Sequence, residues 1–549
     1  MKTRIQELLS IGNAMFSRRR VVDDLWQEIA LNFYPERADF TTVRNEGDEY
    51  SDHLYSSYPV LARRELGNLL SANLRPESDK WFSLHIDDEE LDEQSTESQF
   101  LDHLRDIQWR AMYEAATGFV RATKQADHDF ATFGNAVIWV GPNSAIDGLL
   151  YRNHHLRDCA WSENSDGIVD CLYRKWKPTA RQLKAMFGEA VSREVKKACE
   201  KEPEKTFDCF HIVVPARLYE YEGKTGRKYP FVSIYVECLA ETVLEEVGIG
   251  YFPYVVPRWM TVSGSVYGRS MATAIALPDG RTTQVVMRTL REAGEKFVDP
   301  PMIAIADAIR GDIPLYAGGI TIADMEYDER LGEVLRPVTQ ASGNMPVGFE
   351  IAAALREDIR HAFFLHQIQL PDVGTKDMTA YEFRNRVEEH IRSSSPLFEP
   401  VMKDYNAPLC DLTFQVMMTH GAFPMDLMPD TLRGADVKFS FRSPLADMAE
   451  QAEAAIFVDG LTRILLPAAQ IDPAQVENVN MTESTRAALR AVGWKPKWFN
   501  DLRAVEEKRA QMAQMQQLQA EMTAAGGVAQ IAETGGKAAK EISAAMGEK

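Results

Sequence analysis

The chain has 549 residues, 45% of them hydrophobic and 26% charged, which excludes wholesale disorder and leaves room for two or more packed units. Its 81 acidic residues against 61 basic ones give a net charge of −20. That balance argues against a protein that grips nucleic acid through a basic face; it fits equally a surface past which DNA slides and plain solubility. No apolar run approaches the length of a membrane span, since GIGYFPYVVP is short and broken by prolines.

The opening MKTRIQELLSIGNAMF lacks the basic end, apolar block and cleavage site of a secretory leader, so secretion is not expected. RRRVVDDLWQEIALNFYPE (18–36) places Val22, Leu25, Ile29 and Leu31 near helical spacing and stops at Pro35; Ser57 to Glu77 repeats that pattern. A strand is predicted from Trp81 to Ile86, a helix pair between Gln99 and Phe133, and a β run in FGNAVIWVGPN. Further strands are expected at 167–176, 209–221, 229–238 and 252–260, with 196–205 as an exposed helix end and loop.

From Tyr267 the pattern changes. GSVYGRS (264–270) reads as a hinge of Gly264, Tyr267, Gly268 and Arg269, in which Gly268 supplies a backbone conformation that other residues avoid and Tyr267 packs. For Arg269 a structural anchor is preferred to a phosphate contact. Val286, Leu290, Ala293 and Phe297 then form one helical stripe over 279–298, ended by Asp299-Pro300-Pro301. A short-period acidic stretch follows, with eight acidic and three basic residues in 299–345. After Pro346, Ile351, Leu355, Ile359 and Phe363 stand at i, i+4 spacing on a second helix, 346–365. Each helix is taken as about 20 residues, roughly 30 Å long. Two matched helices joined through a compact module should run antiparallel.

The loop 366–378 precedes a capping box at Thr379 and Glu382, with Met378 and Phe383 placed as a hydrophobic staple. The next helix carries Phe383, Val387 and Ile391, is kinked or restarted at Pro396 and Pro400, and resumes through Phe414 and Met418. A strand is expected at 437–443. Met512, Met515, Leu518 and Met522 make one helical stripe near the end, and the tail beyond is expected to be loose.

Chemistry-bearing patterns are sparse. Cys159, Cys171, Cys199, Cys209, Cys238 and Cys410 show no zinc spacing, and His154-His155 would point to opposite sides of a strand. GTKDMT lacks the first glycine of a phosphate-binding loop, and DDEELDE (87–93) reads as a solvated acidic loop. No catalytic residue, metal ligand or cofactor is therefore assigned.

RWMTVSGSVYGRSMATAIALPD with its helix and VDPP, KDMTAYEFRNRVEEHI, RRELGNLLSANLRPESDKWFSL and FGNAVIWV together resemble the head-to-tail connector, or portal, proteins of short-tailed phages, in unchanged order over roughly residues 15–445. The resemblance implies a mixed α/β, predominantly helical portal fold, assembled as a dodecameric ring at one capsid vertex. Carried over by position, it gives a wing at 1–264, a hinge and first stem helix at 265–298, a clip at 299–345 and a second stem helix at 346–365. A tunnel loop follows at 366–378, then a long kinked helix returning to the wing (379–445), a crown (446–500) and a C-terminal helix or barrel with a flexible tail (501–549). Val286, Leu290, Phe297, Ile351, Leu355, Ile359 and Phe363 would pack the stem. Gln367, Gln369, Asp372, Gly374, Lys376 and Asp377 would meet passing DNA, and Asp312, Asp324, Glu326, Asp328 and Glu329 would dock partners.

The implied partners are the chain itself, the terminase large subunit, a tail adaptor, capsid and scaffolding proteins, and double-stranded DNA held without sequence specificity. No membrane is implied. The place would be the virion, with the host cytoplasm during assembly. The competing expectations are a metal-dependent nuclease or hydrolase, and a scaffolding or adaptor protein without a pore.

Overall fold

A computed structural model describes residues 4–45, 47–77, 80–86, 95–143, 145–219, 229–298, 302–304, 335–337, 345–368, 399–432 and 437–441, with shorter stretches between 454 and 515. The chain divides into two compact units, Met1–Pro444 and Leu445–Lys549.

The first unit contains a five-stranded antiparallel sheet. Its strands are β4 (Cys159–Glu163), β5 (Val169–Trp176), β6 (Cys209–Pro215), β7 (Phe231–Glu237) and β8 (Thr242–Ile249), in that spatial order. Strand β6 is buried at all seven positions because both faces of the sheet are covered. On one face, Phe210, Ile212, Val232 and Ile234 meet Leu8 and Leu9 of helix α1 (Arg4–Arg18), where Gly12 lets the helix lie against Tyr173. On the other face, Cys209 and Leu244 pack with Leu183 of α6 (Ala180–Phe187) and Val195 of α7 (Arg193–Lys201). A complete capping box at Thr179 and Gln182 starts α6.

Beside this sheet lie α2 (Arg20–Phe33), α3 (Tyr58–Leu74), α4 (Ser95–Tyr113) and α5 (Phe119–Phe133). A second, three-stranded sheet has the order β3 (Leu149–Asn153), β2 (Ile138–Pro142), β9 (Tyr254–Val255). The strand expected at Trp81 is β1 (Phe82–Ile86), and it pairs antiparallel with the late strand β12 (Val437–Phe441). Stacking of Trp81 on Phe441, with ring centroids 6.1 Å apart, joins the two ends of the unit.

Several boundaries differ from expectation. The helix read in 18–36 is α2 and starts at Arg20; a separate helix, α1, precedes it and stops at Arg18, and between them the buried Arg19 donates to the carbonyls of Leu156, Arg157 and Cys159. Pro35 begins a short 3₁₀ turn. Strands β3, β4 and β8 were not anticipated. The helix resuming after Pro400 widens into a π turn at Met402–Asn406 before α11 (Ala407–Thr419). Pro408 explains it: the ring has no N–H for the carbonyl four residues back and clashes with it.

In the second unit, a π turn at Leu461–Leu465 leads into α12 (Leu466–Ile471), and α13 covers Met481–Ala491. Met512 and Met515 of the expected late stripe are exposed. The capping box at Thr379, the acidic loop 87–93, and Leu518 and Met522 lie outside the described residues.

Candidate functional site

Two helices dominate the region singled out by the sequence. Helix α8 spans Met271–Val298 and α9 spans Met345–Ala362. Leu290 lies against Gly348, while Asp279 and Asp358 face each other closely enough to repel. As the number rises along one helix it falls along the other, so the pair is antiparallel. The lengths, however, are 28 and 18 residues rather than matched. The extra turns of α8 are its start, which begins at Met271 instead of 279 and runs through Pro278.

Those extra turns root the pair in the core. Ala272, Thr273, Ala276, Leu277, Gly280 and Thr283 are buried. Phe33, the last residue of α2, fits against the bare face of Gly280 and against Phe363, 5.4 Å between ring centroids. The Gln284 carboxamide accepts from the N–H groups of Tyr55 and Ser56 and donates to the Ser56 carbonyl at 3.0 Å, copying a peptide group.

In the seam between the helices Leu290 of α8 lies against Gly348 of α9, and on the same face of α9 as Gly348 the side chains of Ala352 and Ile359 are buried and Leu355 half-buried. A Cβ on Gly348 would stand 2.5 Å from Leu290, so the close approach depends on its absence. Of the seven residues expected to pack here, Ile359 and Phe363 are buried and Val286, Leu290 and Leu355 half-buried. Ile351 is 47% exposed and Phe297 60% exposed. Residues four apart advance 40° around a helix beyond a full turn, so the i, i+4 row from Phe363 back to Ile351 drifts off the seam. The residues that would stand opposite Phe297 precede Met345 and lie outside the described residues.

The expected hinge is a clamp. Asn135, fully buried, donates to the Gly268 carbonyl and accepts from the Gly268 N–H, both at 2.8 Å. The last four carbonyls of α5 are orphans by helix geometry, and each finds a donor: Phe130 from the N–H of Gly134, Ala131 from the Ser270 hydroxyl, Thr132 from the Thr273 hydroxyl and Phe133 from the Asn135 amide. The Ser270 oxygen also caps α8 by accepting from the Thr273 N–H.

Gly134 ends α5 at φ +70°, and a Cβ there would overlap the backbone of Arg269 and Ser270. The positive φ expected at Gly268 belongs instead to Gly264, at +84°; Gly268 is required because Arg258 and the Gly134 carbonyl lie 3.0 Å from where its Cβ would be. Tyr267 packs between Trp161 and Trp26, with centroids 4.5 and 5.7 Å away, and burial raises its phenol pKa. Arg269 is exposed and held through its backbone, which pairs with Met260; among the described residues its guanidinium has no ion pair.

Beyond α8, β10 (Met302–Ala304) pairs antiparallel with β11 (Leu335–Pro337). Asp312, Asp324, Glu326, Asp328 and Glu329 lie outside the described residues, as do Gln369, Asp372, Gly374, Lys376 and Asp377. Gln367 falls in the short helix α10 (Leu365–Ile368). Between α9 and α10 the chain turns at Phe364, which has φ +56°, a value uncommon for a side chain of this size.

The sequence reading missed Gly134, Asn135, Ser270 and Thr273, and the small pair Gly348 and Ala352. The signals were present as a Gly-Asn after a helix, a Ser-x-x-Thr cap and a Gly-x-x-x-Ala step. No group of three or more metal-capable side chains occurs among the described residues.

This rooted helix pair, with an acidic excursion between its members, can be compared with known families. The model of the bacteriophage head-to-tail connecting proteins matches residues 5–499. The chain belongs to that family. Two curated relatives extend the likeness to nearly the whole connector. A protein of Bordetella phage BPP-1 named as a probable portal protein is 25% identical over 531 residues, covering 93% of this chain and 92% of its own. The portal protein of Salmonella phage epsilon15 is 22% identical over 548 residues, covering 97% and 96%.

Proposed function

We propose that this connector is a portal protein: a component of the virion that assembles as a ring, a dodecamer by family resemblance, and gives double-stranded DNA a channel into and out of the capsid. The observation that carries the ring is on α9. Val347 and Ile351 stand on one flank of the helix, 53% and 47% exposed, and Phe349 stands on the opposite flank, 58% exposed. The seam with α8 lies between them. Apolar surface on two opposed flanks fits a neighbour on each side, the head-to-tail arrangement that closes into a ring. Glu350, Glu357 and His361 are exposed on the face away from the seam.

In this reading the wing is 1–264 with part of 381–445, and the hinge and stem are 265–298 and 346–365. The clip (299–345) docks the terminase motor and later the tail adaptor, and the tunnel loop (366–378) restrains DNA. The crown is 446–500 and the C-terminal helix or barrel 501–549. Capsid and scaffolding proteins surround the ring, which assembles in the host cytoplasm. A connector of this family is structural rather than catalytic, and neither the nuclease nor the pore-free alternative gains support from the relatives.

Electron microscopy of the purified chain should show rings with a central hole. Compact particles without a hole would refute the channel. Deleting 302–340 should leave the wing folded and abolish motor docking. Shortening 369–377 should permit packaging to start while impairing DNA retention.

A further inference from the structure

His361, on the last turn of α9, and His366, on α10, meet edge to face across the Phe364 turn, with ring centroids 4.3 Å apart. Both are exposed. Phe363, fully buried against Phe33, fixes the near side of the turn from which the two rings project. The charged group that acts on the pair from its own element is Arg360, which is ion-paired with Glu357 one turn back on α9. Partial burial, then His361 and Arg360, lower the pKa of His366. The exposed face of α9 thus runs from acidic at Glu350 and Glu357 to imidazole at its end, in a chain whose net charge is −20.

Two imidazoles in contact resist carrying two protons unless an anion lies between them. On the channel reading, the anion at hand is a phosphodiester. We propose that His361 and His366 form a proton-gated contact for the DNA backbone, at the root of the segment that follows α10. Bound DNA would draw a proton onto the pair, so the contact tightens as pH falls and slackens as it rises. The acidic residues farther along α9 leave the DNA free to slide.

The test uses the full-length ring and a fluorescent DNA duplex, with binding measured at about pH 6 and about pH 7.5 at fixed salt. One proton taken up per contact changes affinity by up to about tenfold per pH unit. Wild type should therefore bind roughly tenfold more tightly at the lower pH. His361→Gln with His366→Gln should lose that difference, and His361→Arg with His366→Arg should bind at both pH values without it. An unchanged pH difference in the Gln pair overturns the inference. Inorganic phosphate at the same phosphorus concentration should not displace the duplex; displacement would mark a general anion site and overturn it too. Absence of rings in the same preparation would instead sink the channel reading.

Discussion

Gly134→Ala tests the clamp most directly. At φ +70° an alanine costs about 1 kcal/mol relative to glycine. The larger part comes from its methyl group, which would meet backbone atoms of Arg269 and Ser270 that cannot rotate away. Opening that gap pulls the Ser270 and Thr273 hydroxyls off the carbonyls of Ala131 and Thr132, now 2.7 Å away. Leaving two buried carbonyls unsatisfied costs about 1–3 kcal/mol each, so the whole change should cost about 3–7 kcal/mol. Gly264→Ala is the control. Its φ is +84°, but nothing lies within 4 Å of the added carbon, so only the conformational cost of about 1 kcal/mol remains. Urea unfolding followed by tryptophan fluorescence suits the comparison, because Trp26 and Trp161 flank Tyr267. If the two variants lose equal stability, the clamp is not what joins α5 to α8.

Other expectations concern the core and the helix seam. Arg75 and Asp127 form a fully buried ion pair, with Asn406 accepting from Arg75 at 2.5 Å; Asp127→Ala strands the guanidinium and should cost about 3–5 kcal/mol in urea unfolding, whereas replacing both by apolar residues should cost far less. Burial, then Arg63, depresses the His128 pKa from 6.5 to about 4. The unfolded chain accepts a proton that the folded one refuses, so stability is whole above about pH 6.5 and falls by about 2 kcal/mol toward pH 4, after allowance for the ring's partial exposure. His128→Gln should flatten that part of the pH–stability curve. Gly348→Leu should wedge α8 from α9 and cost about 1–3 kcal/mol, seen as a lower urea midpoint.

What the sequence revealed and what it hid divide along a physical line. Helix α3 and strands β1, β6, β7 and β12 carried their own periodicity. Helix α1 carried one too, in Ile5, Leu8, Leu9, Gly12 and Phe16, but that stretch was weighed only as a leader. Strand β8, TVLEEVGI, sits at a sheet edge, where the adjacent Glu245, exposed, and Glu246, half-buried and paired with Arg4, blur the alternation. The antiparallel helix pair was legible from its stripes, while its seam was not, because Gly348 and Ala352 work by being small. The clamp was least legible. Each half announced itself locally, but a hydrogen bond between Asn135 and Gly268 has no signature in either segment alone.

Strands β10 and β11 hold Met302 opposite Pro337 and Ala304 opposite Leu335. Whatever residues 305–334 do, they leave and return through one doorway about 5 Å wide. Insertions or exchanges beyond that doorway would reach the rest of the molecule without altering the distance between α8 and α9. A change in length or composition confined to 305–334 thus meets the rest of the chain, among the described residues, only through that single pairing.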